Sequence, residues 1–91
     1  MKYYARGWNE SRGDAYDHWG PATYYFEVGD DDWPVRQVEV YDHGPTLRHD
    51  LDHLHDEFGG LSEVPLDPVE FAPFAISHDD FEHVWVSIQA S

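Results

Sequence analysis

The chain has 91 residues, room for one domain spanning 1–91, and sets nineteen Asp and Glu against five Lys and Arg, a formal net charge of −14. That balance argues against direct nucleic-acid binding, which needs cations to neutralise phosphates. With no cysteine in the sequence, neither a disulfide nor a thiolate nucleophile is available.

Small secreted domains usually rely on disulfides, Met1 to Arg6 are not followed by an apolar signal core, and no apolar run approaches the roughly 18 residues of a membrane span. A cytoplasmic protein with no membrane partner is therefore expected. A chain this short buries only about 60–65% of the surface its unfolded form exposes. Four Trp, six Tyr and five Phe offset this, since each large ring can bury about 150–250 Å².

Met1 to Trp8 reads as a first strand, because Tyr3, Tyr4 and Trp8 favour extended backbone. Asn9 to Pro21 is rich in Gly, Asp, Ser and Asn and reads as a long loop, pinned by Tyr16 and Trp19. Thr23 to Val28 alternates, with Tyr24, Phe26 and Val28 on one face. Gly29-Asp30-Asp31-Asp32-Trp33-Pro34 is a turn. Val35 to Tyr41 resumes alternation, Val38 and Val40 facing one way and Gln37 and Glu39 the other. Asp42-His43-Gly44-Pro45 is a second turn.

The next stretch supports two readings. Leu47, Leu51, Leu54 and Phe58 lie at helical spacing, with Pro45 to open a helix and Gly59-Gly60 to close it; alternatively Thr46 to Asp50 is the next strand of a meander. Leu61 to Pro73, with prolines at 65, 68 and 73, is extended with at most a short helical turn. Ser77 is a natural N-cap, followed by Asp79, Asp80 and Glu82 at the positive end of the dipole. Phe81, Val84, Trp85 and Ile88 form an apolar stripe, so the spacing predicts a helix over Ser77–Ala90 lying across a sheet.

Two stretches, Trp33-Pro34-Val35-Arg36-Gln37-Val38-Glu39-Val40-Tyr41-Asp42-His43-Gly44 and the Pro73–Trp85 segment, together with Asp56–Gly59 and Pro65–Asp67, resemble a family of small acidic bacterial proteins of unknown function. The resemblance runs through the W-x-V-R-x-V-E and I-S-x-x-x-F-E-x-V-W patterns, covers about two-thirds of the chain, and leaves Asn9–Pro21 unmatched. Relatives of this pattern carry proline where Leu54 stands. The resemblance therefore implies a strand at Thr46–Asp50 followed by an irregular segment. The fold expected is α+β: an antiparallel three- to four-stranded meander with a C-terminal helix packed on one face.

No nucleophile elbow, phosphate-cradling glycine loop or metalloprotease motif is present, so no catalytic residue and no cofactor is assigned. His49, His53 and His55 sit among Asp50, Asp52, Asp56 and Glu57. On a helix His49 and His53 would share a face, and on a strand His53 and His55 would. Neither spacing matches a known ligand signature, so no metal ligand is assigned, although a small metal-binding regulator stays an alternative.

The acidic surface suits a basic protein partner, because a long-range field steers encounter; the bland alternative is that acidity only keeps the chain soluble. The candidate contact residues are Asp30, Asp31, Asp32, Trp33, Asp52, Asp56 and Glu57. Three adjacent carboxylates gain from a cation, and a Trp beside them can anchor a contact. The resemblance places Trp33 alongside strand residues, which implies a core position for the ring itself. In size and charge such a chain is similar to immunity proteins that block toxins such as nucleases. The alternative from another class is a nucleic-acid mimic that inhibits defence proteins.

Overall fold

The computed structural model describes residues 1–8, 17–56, 59–62 and 64–89. Four strands, β1 (Lys2–Trp8), β2 (Ala22–Val28), β3 (Pro34–Tyr41) and β4 (Thr46–Asp50), form an antiparallel meander in the order β1-β2-β3-β4. A two-residue pair, β5 (His55–Asp56) and β6 (Gly59–Gly60), follows. The chain then makes a single helical turn α1 (Pro68–Phe71), a 3-10 turn at Ala72–Phe74, and the helix α2 (His78–Gln89). The α+β meander with a C-terminal helix is thus the observed architecture, with four strands rather than three. Tyr16, Glu57 and Phe58 lie outside the described residues.

The strand reading of Thr46–Asp50 holds and the helical spacing of its leucines does not. Leu47 is buried against Trp19, Ala22 and Tyr41, whereas Leu51 and Leu54 are exposed. The chain reverses straight after β4: Asp50 and His53 exchange backbone hydrogen bonds of 3.2 and 3.1 Å. Asp50 Oδ1 also accepts from the Asp52 N–H at 2.9 Å, the local bonding by which Asp makes turns.

Register puts Tyr4, Phe26, Gln37 and His49 on one face of the sheet and Tyr3, Glu27, Arg36 and Asp50 on the other. The second face receives α2. Phe81 and Trp85 pack on Val38, flanked by Tyr3, Tyr25, Val40 and Val84. Arg36 is embedded in this layer: Nε and one terminal nitrogen donate to the two Glu27 oxygens at 2.6 and 2.8 Å, and the same nitrogen reaches Glu82 of α2. Its guanidinium lies 4.9 Å from the ring centroids of both Phe81 and Trp85, and that of Arg48 lies 4.7 Å from Trp85. The helix therefore rests on an apolar seam clamped by one arginine that also satisfies two carboxylates.

The first face is covered too, which the alternation of β3 does not anticipate. Tyr4, Phe26 and Val28 pack against Phe71 of α1, and Trp19 closes over Ala22, Tyr41 and Leu47. Gln37 and Glu39, which read as the solvent side of the strand, are buried. They are tolerated because they bond to each other and to the covering chain. Tyr41 Oη donates to Glu39 at 2.6 Å, and Gln37 Nε2 donates to Glu39 at 3.1 Å and to the Gly60 carbonyl at 3.2 Å. Gln37 Oε1 accepts from the Ser62 N–H at 2.9 Å. So the two layers expected from sequence gain a partial third, made of the 17–19 turn, β5–β6 and α1. Among the described residues no helix is long and apolar enough to cross a membrane.

Candidate partner-binding surface

The turn after β2 is tightly specified. Asp32 N–H donates to the Gly29 carbonyl at 2.9 Å, and Gly29 N–H to the Trp33 carbonyl at 3.0 Å. Asp32 takes a positive φ of 67°, a left-handed conformation that Asp tolerates better than most residues. The three aspartates are consequently not equivalent. Asp32 receives Lys2 Nζ at 2.7 Å, an interaction that also holds the lysine above its ordinary pKa. Asp31 Oδ1 accepts from the Trp33 N–H at 3.2 Å. The Asp30 side chain is 99% exposed.

Trp33 does not enter the core. It remains 44% exposed, because it sits within the turn before β3, where the register to β2 shifts at Glu27/Val28. It lines a cavity of about 390 Å³ together with Asp31, Pro34, Val35, Leu51, Leu54, His55, Leu61 and Ser62. The two acidic segments singled out in the sequence thus converge: Asp31 and Trp33 come from one, Leu51, Leu54 and His55 from the other. Asp52, between the two leucines in sequence, is exposed. Asp56 lies in β5. Leu51 (63% exposed) and Leu54 (49%) were missed as contact residues because the candidates were chosen for charge, and the irregular segment expected after Thr46–Asp50 gives no sign of which apolar side chains stay exposed. With Thr46–Asp50 a strand, two exposed leucines in the acidic segment that follows it are the signal.

His49 and His53 come together, as the helical reading would pair them, but through a chain reversal rather than a helix. His49 is fully buried on the first face and stacks on His53, ring centroids 5.6 Å apart, because the reversal at 50–53 folds one back over the other. His49 Nδ1 stands 4.0 Å from Glu39, while His55 turns up at the cavity instead. Among the described residues no group of three or more His, Asp or Glu is placed to hold a metal ion.

The described cations are engaged within the chain. Of the basic side chains described, Lys2 is engaged by Asp32, Arg6 by Glu70 at 2.9 Å with Phe71 and Phe74 beneath it, and Arg36 by Glu27 and Glu82. Arg48 lies over Trp85. Asp30, Asp31, Asp42, Asp52, Asp79 and Asp80 are all exposed, so the outward field is negative.

A small α+β domain with a two-sided sheet, cations engaged within the chain and an apolar cavity beneath an acidic turn is the class defined by this fold and surface. Residues 8–90 match the family described as a domain of unknown function (DUF6881), and the chain belongs to that family. No curated protein and no solved structure gave a match.

Proposed function

We propose that this chain is a non-enzymatic acidic binding module, working in the cytoplasm as an immunity-type inhibitor that occludes a basic protein surface such as the active site of a toxin nuclease. The observation that carries the reading is that the described cations are already engaged within the chain. Lys2, Arg6, Arg36 and Arg48 are each tied to a carboxylate or a ring of the same chain, so the surplus carboxylates face outward, where they can replace substrate phosphates at a partner's cationic groups. The exposed Trp33 beside them supplies the kind of aromatic anchor around which binding energy concentrates.

The test is coexpression with the products of the genes that flank this one. The expected result is that one flanking product is basic, arrests growth when expressed alone, and is neutralised by this chain through a purified complex. Flanking products that neither bind the chain nor lose toxicity in its presence rule out the immunity role.

A further inference from the structure

We propose that the cavity between the 29–33 turn and the segment from Leu51 to His55 is a socket for one arginine side chain of the basic protein partner. The inference rests on the reading above and names what that partner inserts. A volume of about 390 Å³ falls at the small end of the roughly 300–1,000 Å³ typical of ligand pockets, room for one long side chain with water beside it. Trp33, Pro34, Leu51, Leu54 and Leu61 make the walls apolar, and Asp31 is the carboxylate among the lining residues.

Charge selects among occupants. An aliphatic anchor satisfies the walls but strips water from the Asp31 carboxylate without replacing it. A lysine brings a strongly hydrated point charge that gains little from apolar walls. Arginine matches both, since its methylene stem lies along leucines while its weakly hydrated, planar guanidinium stacks on a ring and forks to a carboxylate.

The fold already uses this triad internally. Arg36 sits between Glu27 and the Phe81 and Trp85 rings, and Arg6 between Glu70 and the Phe71 and Phe74 rings. Trp33 and Asp31 present the aromatic and the carboxylate, with the arginine to come from outside.

Three capped peptides decide it: Lys-Gly-Arg-Gly-Lys, its charge-matched lysine counterpart Lys-Gly-Lys-Gly-Lys, and Lys-Gly-Leu-Gly-Lys, each titrated into the isotope-labelled full chain at low salt and followed by NMR. The arginine peptide should bind about tenfold tighter than the lysine peptide, shifting the Trp33 indole and the Leu51 and Leu54 methyl signals. Trp33→Ala and, separately, Leu54→Gln should abolish that preference, with an unchanged Trp85 indole signal showing that each variant is folded. Equal affinity for the arginine and lysine peptides overturns the socket while leaving the basic-surface reading standing. Preference for the leucine peptide overturns it in favour of an aliphatic anchor. Binding of a basic flanking protein with no peptide bound also overturns the socket, whereas loss of both sinks the two readings together.

Discussion

Arg36 and Trp85 show how much a few side chains contribute in a domain this small. Trp85 is buried between Phe81, Arg36 and Arg48, and Trp85→Ala should cost about 3–5 kcal/mol through lost burial and the cavity left behind. A variant with the parent's urea midpoint would contradict that placement. Arg36→Met keeps much of the volume but leaves Glu27 and Glu82 facing one another. The cost should be about 2 kcal/mol, below that of a fully buried pair because the guanidinium keeps some access to water.

The same cluster sets the acid limit. Hydrogen bonding to Arg36 holds the Glu27 and Glu82 carboxyls below their ordinary value of 4.5. A depressed folded-state pKa contributes stability above the unfolded value that is lost as pH falls through the folded one. Urea unfolding measured against pH should therefore show stability declining below about pH 4.5, and Glu27→Gln should flatten that decline. At the alkaline end the sign reverses. Burial, and then hydrogen bonding to Glu39 and Tyr24, pushes the Tyr41 hydroxyl well above its ordinary 10. Its contribution is complete below pH 10 and lost as pH rises beyond, a limb that Tyr41→Phe should remove.

At the scale of elements, α2 was legible because its signals are local. Ser77 Oγ accepts the Asp80 N–H at 3.0 Å, and Phe81 and Trp85 reach the core as their spacing requires. Ser77→Ala should cost about 1 kcal/mol, read as a lower thermal midpoint. Most of the meander was legible too: β2 and β3 announce themselves by alternation, β1 by its strand-forming aromatics and the turns by Gly, Pro or Asp. At β4 helical spacing competed, and the family resemblance decided for a strand. What covers the first face was not legible. The 17–19 turn, β5–β6 and α1 have no periodicity, and Gln37 and Glu39 look like solvent-facing residues until the Gly60 carbonyl and the Ser62 N–H are seen to meet Gln37.

Gly44 belongs to the same hidden layer. A Cβ there would stand 2.7 Å from that of Trp19, so Gly44→Ala should displace the Trp19 ring and lower stability although residue 44 itself is exposed. Of the candidate surface, the acids were legible from composition. The cavity was not, since it depends on a strand ending at Asp50 and on Trp33 staying out of the core.

For the molecule as a whole, charge separates two explanations of the acidity. Asp30, Asp31 and Asp52 are exposed, whereas Asp32 is tied to Lys2. Replacing the first three with Asn, and leaving Asp32 in place, removes charge without removing that ion pair. Association with a basic partner should slow, and the thermal midpoint should hold or rise slightly as self-repulsion is relieved. Because exposed charges are screened over about 8 Å at physiological ionic strength, added salt should slow association of the parent protein more than it speeds dissociation. An association rate indifferent to both salt and these substitutions would assign the acidity to solubility alone.

The first strand and the last helix are sewn together. Ile76 N–H donates to the Tyr3 carbonyl at 2.9 Å, Tyr4 forms a bridge with Ala75, and the Tyr3 ring meets both His78 and Phe81. These contacts join positions some seventy residues apart, so the loop-closure entropy of nearly the whole described chain must be met before the helix can settle on the sheet. Hairpins β1–β2 and β2–β3 can form early from local pairing, but with one apolar face bare they gain little on their own. Folding should accordingly be a single slow event, in milliseconds to seconds rather than microseconds, with the seam between β1 and α2 formed late. Substitutions at that seam should speed unfolding far more than they slow folding, making the junction of first strand and last helix the latch that sets the lifetime of the native state.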